Sequence, residues 1–203
     1  MYHRVMTVTG ISNLSVEPNV IEVQLEVVTE GMSLSQVQQE NADTMNQVIQ
    51  ALLQLGIARE NIQTTAYTIN PKYDYVDGTQ VFRGYEVTNA ITVKIKDIDQ
   101  AGNVIDVAVQ NGINRVSNIQ FTVENKDVYY KQALSSALKD AYAKAQTLAN
   151  TMQIGIAPYP IKIIEKISEA PITYKAYATM EASTPIEPGQ IVIGATVEAQ
   201  FHY

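Results

Sequence analysis

The chain has no cysteine and no tryptophan, only two histidines, and 14 lysines and arginines against 21 acids. The absence of cysteine removes disulfides, thiolate nucleophiles and Cys-ligated metal centres from consideration. The histidines, His3 and His202, stand near opposite ends with no His-x-x-His spacing. A metal site normally takes three or four ligands, so neither a metal nor a cofactor is expected. The net charge of −7, with four scattered arginines (Arg4, Arg59, Arg83 and Arg115), is the wrong balance for a phosphate backbone, and no nucleic-acid partner is expected. No apolar run approaches the roughly 18 residues of a membrane-spanning helix. Residues 1–10 lack an apolar core of signal-peptide type, so the chain as it stands reads as cytoplasmic.

What is present is a regular alternation of short patterns. Val5 to Thr9 reads as a strand, and Ile21, Val23, Leu25 and Val27 alternate with Glu22, Gln24 and Glu26 at the period of two of a half-buried strand. Asn13, Pro18 and Asn19 lie between them, and this turn chemistry predicts that the two strands form a hairpin. Over residues 33–55, Leu34, Val37, Asn41, Met45, Val48, Leu52 and Leu55 step by three and four, which predicts an amphipathic helix. Ser33 with Gln36 is a capping-box pair, and Gly56 suits the left-handed exit. Residues 62–69 read as a strand from their Thr and Tyr content, and residues 85–95 as the strongest strand of the chain. Asp97 and Gln100 cap a shorter helix ending at Gly112. Residues 116–123 form a strand. A third helix runs from about 127 to 152 with Tyr130, Leu134, Ala137, Ala141, Ala145, Leu148 and Met152 inward, and with Gly155 at its end. Strands follow at 161–167 and 191–201, separated by an aperiodic segment.

The order ββαββαβαββ mixes strands and helices without a strict βα repeat, which predicts an α+β fold. Two lobes of helices on antiparallel-rich mixed sheets are expected. Residues 85–168 form a middle, ferredoxin-like βαβαβ lobe; residues 1–84 with 188–203 form a discontinuous second lobe; residues 169–187 form an extended arm or linker.

Few residues suggest chemistry. No serine lies in a Gly-x-Ser-x-Gly elbow, and no Gly-rich phosphate loop is present. Asp97 and Asp99 are accounted for by a helix start, Asp77-Gly78 by a hairpin turn, and Asp74 lies beside that turn. These carboxylates lack the alternating oxygens and closing Glu of a calcium loop. The unusual feature is aromatic: Tyr73, Tyr75, Phe82 and Tyr85 cluster around the turn, and Tyr174 and Tyr177 lie in the arm. Tyrosine is enriched at protein interfaces because it buries a large area at low entropic cost, whereas packing on the protein's own sheet also satisfies it.

The stretch Ile62-Gln63-Thr64, Pro71-x-Tyr73-x-Tyr75, Asp77-Gly78, Gly84-Tyr85 and Val87-Thr88-Asn89 resembles the central signature of the bacterial SIMPL-domain family. Nearly the whole chain shares in the resemblance. Val16-Glu17-Pro18-Asn19, Asn41-Ala42 to Met45, Leu55-Gly56-Ile57, Val104-Ile105-Asp106, Gly112-Ile113-Asn114, Ile119-Gln120-Phe121 and Pro188-Gly189-Gln190 fall where the family has related segments. Gly10-Ile11-Ser12 departs from a frequent Gly-Glu-Gly, and Gly112-Ile113-Asn114 from a common Gly-Ala-Asn. The resemblance implies the family's fold, frequent export, and no settled biochemical role.

The resulting expectation is a non-enzymatic protein that forms a homo-oligomer and serves as a scaffold or stress-associated interaction module. The aromatic loop and the arm would supply its contacts. The alternative is a small-molecule-binding protein using the crevice between lobes.

Overall fold

The computed structural model describes residues 4–154, 158–166, 186 and 188–203. Seven strands and three α-helices are described: β1 Val5–Val16, β2 Val20–Gly31, α1 Leu34–Gln54, β3 Ile62–Val76, β4 Thr79–Ile95, α2 Ala101–Gln110, β5 Arg115–Thr122, α3 Lys126–Thr151, β6 Tyr159–Lys166 and β7 Ile191–His202. The fold is α+β, with two sheets whose described pairs are all antiparallel. The chain divides into two compact units, residues 1–17, 123–176 and 189–203 in the first, and residues 18–122 and 177–188 in the second.

In the second unit the strand order is β3-β4-β2-β5 and the element order is βαββαβ, a split βαβ arrangement. Ile21, Val23, Leu25 and Val27 of β2 and Ile91, Val93 and Ile95 of β4 are buried against Met45, Val48 and Leu52 of α1 and Val104, Ile105 and Ala108 of α2. Of the stripe anticipated from spacing, Val37, Asn41, Met45, Val48 and Leu52 are buried, Asn41 at 0 % exposure, and Leu34 and Leu55 at its ends are half-buried. The Asn41 amide Nδ2 donates to the Val27 carbonyl (2.9 Å), the Val87 carbonyl (3.1 Å) and Thr29 Oγ1 (3.3 Å), tying α1 to β2 and β4. Asn114 serves as a substitute strand residue: its side chain accepts from Val28 N–H at 2.9 Å and donates to the Val28 carbonyl at 2.7 Å. Gly56 and Gly112 close α1 and α2 at positive φ, and Asp97 caps its helix by accepting from Asp99 N–H. Ser33 makes no side-chain cap bond; its hydroxyl meets Ser35 Oγ instead.

In the first unit the order is β1-β7-β6. The 12-residue ladder from Val5↔His202 to Val16↔Ile191 joins the first strand to the last. Helix α3 packs on β1 and β7 through Ala133, Ala137, Ala141, Ala145 and Ala149, an unbroken i, i+4 row. Leu148 and Met152, expected inward, are exposed, because the close-packed surface selects the smallest side chains. The left-handed residue at the helix end is Gln153, and the expected Gly155 lies outside the described residues.

Two expectations are corrected. β1 and β2 do not form a hairpin. β2 pairs with β4 on one side and β5 on the other, and β1 joins β7 instead. Residues 85–168 do not form one βαβαβ lobe: β4, α2 and β5 share a sheet system with β2, β3 and α1, whereas α3 and β6 belong with β1 and β7. The lobe boundaries therefore fall near residues 17 and 122, where the chain passes between sheets. The arm, residues 169–187, lies outside the described residues apart from Ile186, which packs against the core of the second unit.

Candidate interaction surface

The hairpin of β3 and β4 is the least conventional part of the second unit. Its turn is Asp77-Gly78, both at positive φ (52° and 79°), a two-residue connection that matches the twist of the strands. β2 accompanies β4 only as far as the Gly31↔Tyr85 pair. Beyond it, residues 72–83 continue as a two-stranded ribbon with no third strand among the described residues.

The geometry at the departure point is tightly determined. Register shifts between Lys72 and Tyr73, where Arg83 is the extra residue. Gly84 sits at φ 119°, and a Cβ there would lie 2.5 Å from the Gly31 carbonyl oxygen. Only glycine fits, because both the backbone conformation and the close approach exclude a side chain. A bulge of this kind locally bends and further twists its strand.

The ribbon has two chemically different faces. On one, Lys72 Nζ reaches Glu30 (2.6 Å) and Glu86 (3.1 Å), and Arg83 pairs with Asp74 at 2.6 Å. Glu30 and Glu86 are directly opposed across β2 and β4. Like charges so placed repel, and the lysine offsets this. The Lys72 ammonium lowers the Glu30 carboxyl below its ordinary value, and the two carboxylates raise Lys72 above its own.

The other face is aromatic. Alternation along β3 puts Tyr67, Ile69, Pro71, Tyr73 and Tyr75 on one side. Phe82 packs edge-on against Tyr73 (5.6 Å between centroids) and Tyr85 (5.2 Å). Tyr73 remains 46 % exposed, Tyr75 75 % and Phe82 37 %, and Tyr85 is half-buried at the root. The structure thus brings four of the six anticipated contact residues onto one ribbon; Tyr174 and Tyr177 lie outside the described residues. β3 contains no buried residue along its 15 positions. Its Thr- and Tyr-rich composition identifies a strand but not this exposure. The edge position was the missing information.

Other chemistry is sparse. Among the described residues no three His, Asp or Glu side chains come together as a metal-binding group, and no helix is long and apolar enough to cross a membrane. Glu26, 7 % exposed, accepts from Ser117 Oγ (2.9 Å), Gln24 Nε2 (3.2 Å) and Arg115 Nη1 (3.3 Å), which gives this buried carboxylate three hydrogen-bond donors. In the first unit a groove of about 370 Å³ lies between α3 and β6, lined by Leu138, Tyr142, Pro160, Ile163 and Phe201 among others.

Comparison with known proteins places these features in context. The chain is 26 % identical over 201 residues to a 26 kDa periplasmic immunogenic protein of Brucella melitensis, covering 93 % of this chain and 78 % of that protein. It is 24 % identical over 150 residues to the uncharacterized protein YggE of Escherichia coli K12, covering 74 % of this chain and 61 % of that protein. The solved structure of AtUAH in complex with (S)-hydroxyglycine aligns with a TM-score of only 0.25, at 10 % identity over 64 % of this chain and 34 % of that one, and carries no argument. Residues 6–201, which include the whole β3–β4 hairpin, match the SIMPL family, described as a protein of unknown function (DUF541), and the chain belongs to that family.

Proposed function

We propose that this SIMPL-family protein is a non-enzymatic, self-assembling interaction module, and that the aromatic face of the β3–β4 ribbon is its principal contact. The observation that carries the reading is the asymmetry of the ribbon. On its charged face Lys72 and Arg83 are ion-paired within the chain to Glu30, Glu86 and Asp74, whereas on the other Tyr73 and Phe82 pack edge-on and stay partly exposed beside the largely exposed Tyr75. Aromatic side chains presented rigidly have little entropy left to lose on binding, which favours association. A scaffold or stress-associated role would follow from assembly rather than from chemistry.

The test is multi-angle light scattering on the intact chain and on Tyr73→Ser/Tyr75→Ser/Phe82→Ser. These positions are exposed, so the variant should fold. Truncating a well-placed aromatic contact costs about 2 kcal/mol, roughly 30-fold in Kd for each ring that is central to the interface. The intact chain is expected as an oligomer and the variant as a smaller species. A monomeric intact chain at high concentration, or an unchanged oligomer in the variant, rejects the ribbon as the contact.

A further inference from the structure

The first unit carries a second edge problem, and its solution is local. β1 is the outer strand of β1-β7-β6. Along such a strand every second residue turns its N–H and C=O away from the sheet, and these groups are a template for another strand. Thr9 and Ile11 are two successive outward residues of β1. Ile11 N–H donates to Asp140 Oδ2 at 2.9 Å, and the Thr9 carbonyl accepts from Lys144 Nζ at 2.9 Å. Both partners come from α3, one turn apart, and are joined to each other at 2.7 Å. At this point of the edge one outward donor, Ile11 N–H, meets an acceptor and one outward acceptor, the Thr9 carbonyl, meets a donor, as a neighbouring strand would provide.

The close approach of the helix makes this possible. Gly10 lies between the two bonded residues, and a Cβ there would stand 1.9 Å from the Ala137 carbonyl oxygen and 2.8 Å from Ala141 Cβ. With glycine on the strand and alanine on the helix, side chains at 140 and 144 can reach around the edge. Beside them lies a groove of about 440 Å³ lined by Val8, Thr9, Ala143, Lys144, Thr147 and Leu148. It is apolar enough to receive alternate side chains of an added strand. A second copy of this chain brings such a strand, because β3 is the edge of its sheet among the described strands, with Tyr67 and Ile69 exposed.

We infer that the Asp140–Lys144 pair is a substitute strand that blocks the middle of the β1 edge, at Thr9 and Ile11, against strand addition by a second copy of the chain. Its task is to keep association off this edge, and it holds whether or not the ribbon mediates assembly.

The test separates edge closure from a simple helix-surface ion pair. Asp140→Lys with Lys144→Asp keeps an i, i+4 pair but places a donor against Ile11 N–H and an acceptor against the Thr9 carbonyl. Asp140→Asn keeps an acceptor for Ile11 without the charge. Light scattering at matched concentration and amide exchange at Ile11 in dilute solution are read on both. The reversed pair is expected to at least double the weight-average mass relative to the parent chain and to speed Ile11 exchange tenfold or more, while Asp140→Asn behaves as the parent. If the reversed pair fails to fold, Lys144→Met, which removes only the donor to Thr9, is read for the same gain in mass. Parent-like mass in the reversed pair, or in Lys144→Met where that variant replaces it, overturns the inference; so does an equal mass increase in Asp140→Asn.

Discussion

Gly10→Ala is the smallest perturbation that questions the packing of the first unit. The added Cβ would meet the Ala137 carbonyl oxygen at 1.9 Å, Ala141 N at 2.7 Å and Ala141 Cβ at 2.8 Å. The first two obstacles are backbone atoms of a helix, so no flexible side chain can yield. Either α3 lifts from the sheet or β1 bends. Lifting α3 would loosen the alanine row that constitutes its buried face. Overpacking of this kind costs about 1–3 kcal/mol, and with backbone as the obstacle the upper end or more is expected. Urea unfolding followed by a probe in the first unit measures it. A midpoint lowered by about 3 kcal/mol divided by the m-value is the expected result. A loss below roughly 0.5 kcal/mol, the range of an ordinary surface change, would refute the claim that strand and helix are in backbone contact at this point.

Three further outcomes follow from the second unit. Asn41→Asp sets a buried carboxylate against the Val27 and Val87 carbonyls that now accept from the amide, and should cost about 3–5 kcal/mol by analogy with an unpaired buried charge; a near-neutral change in denaturant titration would show that the amide is not holding α1. Leu52→Ala, at 0 % exposure, should cost about 2–5 kcal/mol, and a loss under 0.5 kcal/mol would mean that the α1 stripe is not core. Glu30, held below its ordinary 4.5 by Lys72, contributes stability that is present above 4.5 and lost as pH falls through its folded value; Lys72, held above 10.5, contributes below 10.5 and loses it as pH rises through its folded value. The clamp is therefore intact through the neutral range. NMR titration should find the Glu30 carboxyl moving up toward 4.5 in Lys72→Met, and an unmoved Glu30 would contradict the assigned cause.

The parts of this molecule legible in its sequence are those set by local chemistry. Asp77-Gly78 marks its turn, Gly56 and Gly112 mark helix exits, Asp97 marks a cap, and the Val37-Asn41-Met45-Val48-Leu52 stripe marks a buried face, because each depends on backbone conformation or periodicity within a few residues. The pairing of β1 with β7 spans nearly the whole chain, and Pro18-Asn19 carries no information about which sheet each flanking strand enters. In α3 the spacing admits several inward rows. The choice of Ala133 to Ala149 over Leu148 and Met152 is made by the surface of β1 and β7 on which α3 packs, which only the fold supplies. Asn114 and the Asp140–Lys144 pair act on main-chain groups 86 and 129–135 residues away, and nothing in their own surroundings signals it. Of the candidate interaction surface, the aromatic cluster was readable, whereas its placement on one face of a ribbon followed from the bulge at Arg83 and from where β2 ends.

The central claim is that the aromatic face of the ribbon is covered by another copy of the chain. Hydroxyl-radical footprinting across a concentration series tests it directly. Tyr75 and Tyr159 are matched within the chain, 75 % and 73 % exposed, but only Tyr75 lies on the ribbon. Labelling of Tyr75 should fall several-fold relative to Tyr159 as concentration rises, with Tyr73 and Phe82 following. A Tyr75 rate that stays constant relative to Tyr159 from dilute to concentrated protein would contradict the account.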